Sequence, residues 1–387
     1  MGANPLLGVF LHWLGGLASA SFYVPFRRVR GWSWETYWLT GGVASWIVAP
    51  WLIAGLLTRD LVSVLRDAPL SALFWSYFFG VLWGLGGLTF GLTMRYLGLS
   101  LGMAVALGYT AVFGTLVPPI FHRQFMQLLA HRSGVIILAG VGICVVGIVF
   151  AGAAGISKEK ELTSEQKLAS IREFNLKLGL GVATFCGIMS SCFAFGLDAG
   201  NPIKSLALKH GTNTMWQGLP VLVVVLIGGF TTNFVWCLIL HLRNRSYGEY
   251  VRIPKEVGAN APSQRPPIEN ITDAAPTEMA LEMKPHPEGG PSLLWNYLFS
   301  MLAGTTWYLQ FFFYTMGETQ MGRYKFSSWT LHMASIIIFS TLWGVALKEW
   351  RGVSRRTKML VLLTLLTLVG STLVVGYGNY LGIHAGD

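Results

Sequence analysis

LFWSYFFGVLWGLGGLTFGLTM (73–94) runs for 22 residues without a charge. A helix crossing the hydrocarbon core of a bilayer needs about 20 mostly apolar residues. Its glycines Gly80, Gly84, Gly87 and Gly91 recur at steps of four, three and four, so they share one helix face. GVLWG and GLTFG each have the G-x-x-x-G spacing that lets helix backbones approach closely in lipid. The stripe suits either static packing or a smooth surface on which one half of a bundle slides. The four glycines, with Arg95 just beyond them as an inner-face anchor, are structural or gating candidates.

Outward from this segment, nine more stretches qualify as spans. The ten cover about 4–26, 33–57, 73–94, 99–119, 134–155, 178–199, 214–242, 292–317, 327–347 and 359–381. The short link at 95–98 makes the third and fourth the least secure division. Ala18-Ser19-Ala20 resembles a leader cleavage site, but residues 1–11 hold no Lys or Arg. The first segment therefore reads as a retained helix.

Composition agrees with a membrane chain. Of 387 residues 53% are hydrophobic and only 12% charged, too few to cover a soluble surface. Mean hydropathy is +0.52. A net charge of +10 would suggest nucleic acid in a soluble protein, but cytoplasmic loops of membrane proteins collect Lys and Arg. No nucleic-acid partner is expected, and membrane lipid is. Cys144, Cys186, Cys192 and Cys237 lie in apolar runs with no CxxC pair, so they read as packing residues.

Loop charge sets orientation. The five loops after odd-numbered stretches hold 20 of the 28 Lys and Arg, and the four after even-numbered ones hold 8. The odd loops are thus expected in the cytoplasm and both termini outside. That demands an even number of spans. Ten spans divide into five and five, and an odd count per half inverts the halves. The expected fold is an all-α membrane protein of ten transmembrane helices in two inverted five-helix repeats, 1–155 and 178–387. A charged cytoplasmic linker at 156–177 joins them. A Pro-rich loop at 244–291 cannot bury enough apolar area to fold alone and reads as partly disordered or draped on the surface.

Polar side chains in spans face the bundle or a water-filled cavity. His12, Gly16, Ser19 and Tyr23 share one face of the first stretch. In the eighth, Trp307, Gln310 and Tyr314 line up and Thr306 joins Gln310; the ninth carries Ser328, His332 and Ser335. Aromatic faces beside hydrogen-bonding groups suit a sugar, whose C–H face stacks while its hydroxyls bond. The expected substrate contacts are Trp13, Ser19, Trp83, Tyr109, Thr306, Trp307, Gln310, Tyr314, Ser328 and Trp329. Trp34 and Trp38, near a helix end, read as an interfacial belt.

Ionisable groups within spans are few, and each is a functional candidate. Glu35, His12 and His332 are the expected proton-coupling residues, His12 because it lies near mid-helix. Glu35 also suits a helix N-terminus, where a carboxylate favours the dipole. Asp198 lies near an outer helix end and ranks lower. A Walker loop and HExxH are absent and no acidic cluster suggests a metal, so neither an ATP-driven pump nor an enzyme is expected.

FYVPFRRVRGWSWETYW (22–38), GLTMRYLGLSLGMAVALG (91–108), WYLQFFFYTMG (307–317), SSWTLHM (327–333) and LKEW (347–350) resemble the bacterial L-rhamnose–proton symporter family of the drug/metabolite transporter superfamily. The likeness touches both halves; the loop at 244–291 lies outside it. It implies a multi-pass protein of the bacterial inner (plasma) membrane that imports a 6-deoxy sugar with a proton as coupling ion and no other cofactor. Glu35, His12, Arg95, Gln310 and His332 fall within or beside the matching phrases. Two other readings stand beside this one. They are an exporter of amino acids or amphipathic metabolites, and a membrane sensor or scaffold whose 244–291 loop binds a protein partner of unknown identity.

Overall fold

The computed structural model describes residues 3–97, 99–161, 175–252, 292–348 and 350–384, and every regular element among them is helical. Lipid offers backbone groups no hydrogen bonds, so a segment there must satisfy its own, as a helix does. The long helices number ten: α1 (Pro5–Phe26, with a break at Phe22), α2 (Trp34–Leu57), α3 (Leu70–Leu97), α4 (Leu99–Phe121), α5 (Arg132–Glu161), α6 (Leu176–Ala199), α7 (Leu219–Asn244), α8 (Leu293–Thr319), α9 (Ser327–Ala346) and α10 (Arg355–His384). Nine segments among the described residues are long and apolar enough to cross a membrane. The exception is α8, which has 27 residues but carries Asn296, Thr305, Thr306 and Gln310 among its aromatics.

Local sequence sets the ends. Asn4 caps α1 by accepting from the Leu7 N–H, with Pro5 in the first turn. Asn175 caps α6 in the same way, and Gly200 ends it ahead of a short helix, Asn201–Lys209. The charged linker is helical at both of its described ends, where α5 continues to Glu161 and α6 begins at Leu176; 162–174 lie outside the described residues. After α7 comes a 3-10 turn, Ser246–Tyr250, and 253–291 lie outside the described residues.

Glycine lets the helices touch backbone to backbone. A Cβ on Gly80 of α3 would collide with the Val225 carbonyl oxygen of α7. One on Gly304 of α8 would collide with the Gly41 oxygen of α2. Helix α1 lies against α8 and α9, where Gly8, Gly15 and Gly16 meet Met321, Gln310 and Ser335. Helix α6 lies against α3 and α4, where Gly179, Gly86 and Gly187 serve that packing. Two further pairings, α2 with α7 and α5 with α10, bound the bundle.

Candidate functional site

A cavity of about 310 Å³ lies between the halves. Its wall reaches Tyr23, Trp34, Gly91, Gly155, Trp350 and Val361, all near the helix ends that carry the odd-numbered loops. At the other end it stops at Thr110 and Trp329. There the Trp329 indole N–H donates to the Thr110 carbonyl at 2.8 Å, and the Thr115 and Thr330 hydroxyls meet at 2.8 Å. Beyond that seam Ser133 pairs with Tyr324 at 2.7 Å, and a partly buried Lys204–Glu318 ion pair of 2.9 Å braces the end of α8. The cavity is thus open on the odd-loop side and closed on the other.

Of the expected substrate contacts, Ser19, Trp83, Trp307, Gln310 and Trp329 line this cavity, and so does His332. Trp13 packs edge-on to Phe339, Tyr109 packs on Phe113, and Thr306 donates its hydroxyl to the Leu302 carbonyl. Ser328 is buried with its hydroxyl unpartnered, and Tyr314 lies behind the wall among His12, His332 and Trp329.

His12 is wholly buried and also outside the wall. Neither of its ring nitrogens has a protein partner, and its centroid is 6.5 Å from that of His332. Gly317 makes room for it: a Cβ there would stand 2.8 Å from His12 Nε2. The Gln310 amide nitrogen, Trp307 Nε1 and His332 Nδ1 are also buried without partners. Buried polar atoms left so cost about 1–3 kcal/mol each, so a cluster of them beside a cavity marks a place where a ligand or a rearrangement supplies partners.

The glycine stripe divides. Gly80 serves only the α3–α7 crossing; Gly84 both meets Thr232 and lines the cavity. Gly87 and Gly91 form cavity wall, and nothing stands within 4 Å of a Cβ on Gly87. Arg95 lies 6.0 Å from the Tyr96 ring.

Glu35 is elsewhere, at the odd-loop rim. Its carboxylate accepts from the Ser246 hydroxyl at 2.6 Å and the Asn244 amide at 3.0 Å. In return Glu249, from the turn after α7, accepts from the Ser33 backbone N–H, the Ser33 hydroxyl and the Thr36 hydroxyl at 2.6–2.8 Å. His241 bridges Ser246 and Tyr250, whose phenol burial holds above its ordinary pKa and so protonated. Across the mouth Glu161 repeats the arrangement on α10, accepting from the Ser354 N–H and the Ser354 and Thr357 hydroxyls at 2.6–2.7 Å. Two Ser-x-x-Thr helix starts are thus each capped by a carboxylate from a distant segment.

Several site features escaped the sequence reading. Trp34 and Trp38 are not an outward belt. They stack at 5.2 Å and line the cavity, with the Trp38 N–H donating to Asn233 of α7. Trp46 lines it too. One signal of the site is legible in the sequence: Gly80-x-x-Trp83 in α3 and Gly304-x-x-Trp307 in α8 set a crossing glycine three residues before a cavity tryptophan. Gly98-Leu99-Ser100-Leu101-Gly102 has the spacing of a nucleophile elbow, but that motif needs a strand-to-helix turn, whereas Leu99–Gly102 lie within α4 and Gly98 lies outside the described residues. No group of three His, Cys, Asp or Glu able to hold a metal occurs among the described residues.

Comparison with known proteins bears directly on this arrangement. Residues 1–251 and 286–380 match the family model described as L-rhamnose-proton symport protein (RhaT). The chain is 34% identical over 373 residues to the L-rhamnose-proton symporter of Klebsiella pneumoniae (strain 342), covering 96% of this chain and 97% of that protein. The L-rhamnose-proton symporter of Cronobacter sakazakii is 33% identical, and that of Salmonella paratyphi B 34%, over the same shares.

Proposed function

Since the chain belongs to the L-rhamnose-proton symport protein family, we propose that it imports L-rhamnose or a related 6-deoxy sugar together with a proton, by alternating access. The observation that carries this reading is the cavity. Its volume of about 310 Å³ is at the small end of ligand sites, suited to one monosaccharide. Trp83, Trp307 and the Trp34–Trp38 stack supply aromatic faces. Ser19, Asn233, Gln310 and His332 supply polar groups on several sides.

Ten spans in two inverted halves fit this role. At about 1.5 Å per residue the 27 residues of α8 reach ~40 Å, enough to cross. The helix pairings support the symmetry, because adding five to each number exchanges them. The contacts of α1 with α8 and α9 become those of α6 with α3 and α4, while α2–α7 and α5–α10 map onto themselves. The repeats run over 1–155 and 178–387, with the 156–177 linker and the 244–291 loop on the cytoplasmic side. Both termini face the periplasm of a bacterial inner membrane. In that orientation the cavity opens to the cytoplasm, the state that releases sugar.

The proton is assigned to the His12–His332 pair, and Glu35 to the rim. Coupling requires proton and sugar each to raise the other's affinity in one state. His332 borders the sugar's cavity and faces His12 behind it, so occupancy at one is felt at the other. A membrane potential contributes ~2.3 kcal/mol per charge per 100 mV, so one proton supports well over tenfold accumulation.

Purified protein in liposomes tests the reading. An imposed acid-outside gradient is expected to drive uptake of labelled L-rhamnose, abolished by a protonophore. Uptake indifferent to the gradient would overturn it.

A further inference from the structure

Helix α2 changes its winding at the depth of the cavity. Val43–Val48 forms a π-turn, in which the Ala49 N–H reaches back five residues to the Ala44 carbonyl. The cause is legible in Pro50. Its nitrogen carries no hydrogen and its ring excludes the carbonyl four residues earlier, which belongs to Trp46. A π-turn absorbs one extra residue and rotates the rest of the helix, and such turns are frequent at functional sites.

The rotation decides where an indole goes. Val43, Val48 and Trp51 keep exposures of 41–45%, as lipid-facing residues do, whereas Trp46 is 3% exposed. Its ring turns inward, 89° to the Trp83 ring at 6.5 Å and 6.1 Å from Trp38. Gly42 makes room, since a Cβ there would stand 2.6 Å from the Trp46 ring. The Trp38 and Trp329 indoles, also on the cavity, donate to protein acceptors. The Trp46 N–H has none, though it is buried on the cavity wall.

We propose that Trp46 is a substrate-contacting, specificity-determining residue, held at the cavity by the Pro50 π-turn so that its N–H donates to a sugar hydroxyl oxygen. The proposal rests on the sugar-symport reading above. A core residue would not need the turn, because an α-helical α2 could pack an aliphatic side chain at that spot without stranding a donor. The sugar supplies the acceptor that the protein withholds.

The test is the transport kinetics of two variants in liposomes. Trp46→Phe keeps a ring and removes the donor, and is expected to raise KM for L-rhamnose about tenfold with Vmax kept. Pro50→Ala lets α2 rewind and is expected to raise KM similarly. In the double variant the two effects should not add, because both remove one contact. Wild-type KM in Trp46→Phe overturns the proposal. So does a parallel fall of Vmax and thermal stability with KM unchanged, which marks a packing residue. Neither result touches symport, which stands or falls on gradient-driven uptake by the wild-type protein.

Discussion

The imidazoles of His12 and His332 lie 6.5 Å apart, centroid to centroid, with the Tyr314 ring 5.3 Å from each. Only His332 borders the cavity; His12 is sealed behind it against Gly317. A proton held by this pair is within Coulomb reach of the sugar yet need not touch it. His12→Ala is therefore expected to abolish uphill accumulation while sparing exchange of sugar down its own gradient. His332→Ala is expected to impair both by more than about fivefold. Counterflow and gradient-driven uptake, measured on the same vesicles, separate the two. Full accumulation in His12→Ala would move the proton elsewhere.

The two rim clasps make a stability prediction. Glu249 caps α2 and Glu161 caps α10, each through three hydrogen bonds at one carboxylate. Glu249→Ala is expected to cost about 0.5–2 kcal/mol, the range for a lost helix cap, and Glu161→Ala, at an exposed carboxylate, to destabilise in the same direction. A lowered Tm in detergent checks this, and an unchanged Tm in both variants would count against it.

Glycines in one stripe are expected to differ by what faces them. Gly80→Ala and Gly304→Ala drive a methyl into backbone oxygens of α7 and α2, and nothing flexible can yield. Each is expected to cost at least ~1–3 kcal/mol and to lower the yield of folded protein. Gly87→Val meets only open cavity. It should fold normally and raise KM by narrowing the site. Equal thermal stability of the three variants would refute the distinction.

A span is legible in the sequence where one segment decides its own fate. The expected spans 73–94, 134–155 and 359–381 became α3, α5 and α10, extended by a few residues at their ends. Lipid makes a span self-sufficient in hydrogen bonds, so hydropathy alone finds it. The polar stripe through His12, Ser19 and Tyr23 was legible because helical spacing fixes a face. Which neighbour that face meets is another matter. Ser19 and Tyr23 line the cavity, while His12, on the same stripe, is sealed behind it. Glu35 looked like a buried charge in search of a role, and only pairing with Ser246, more than 200 residues away, puts it at the rim. Pro50 accounts for the π-turn in α2 only once the helix is seen, and where that turn puts Trp46 depends on α3 and α7 packing around it.

Sidedness can be tested through the open mouth. Ser340 and Thr341 of α9 line the cavity near the odd-loop end, which faces the cytoplasm in the proposed orientation. The four native cysteines are buried and free, so an introduced thiol at 341 stands against a quiet background. Thr341→Cys is expected to react with a membrane-impermeant maleimide in inside-out vesicles and to resist it in right-side-out ones. L-Rhamnose should slow the reaction by occupying the space between the thiol and Trp307. Thr115→Cys, set in the closed seam with Thr330, should resist from both sides in this state. Any shift toward an outward-open state reverses the pair, exposing position 115 to the periplasmic reagent as position 341 becomes shielded. Labelling of Thr341→Cys from the periplasmic side alone would invert the assigned topology.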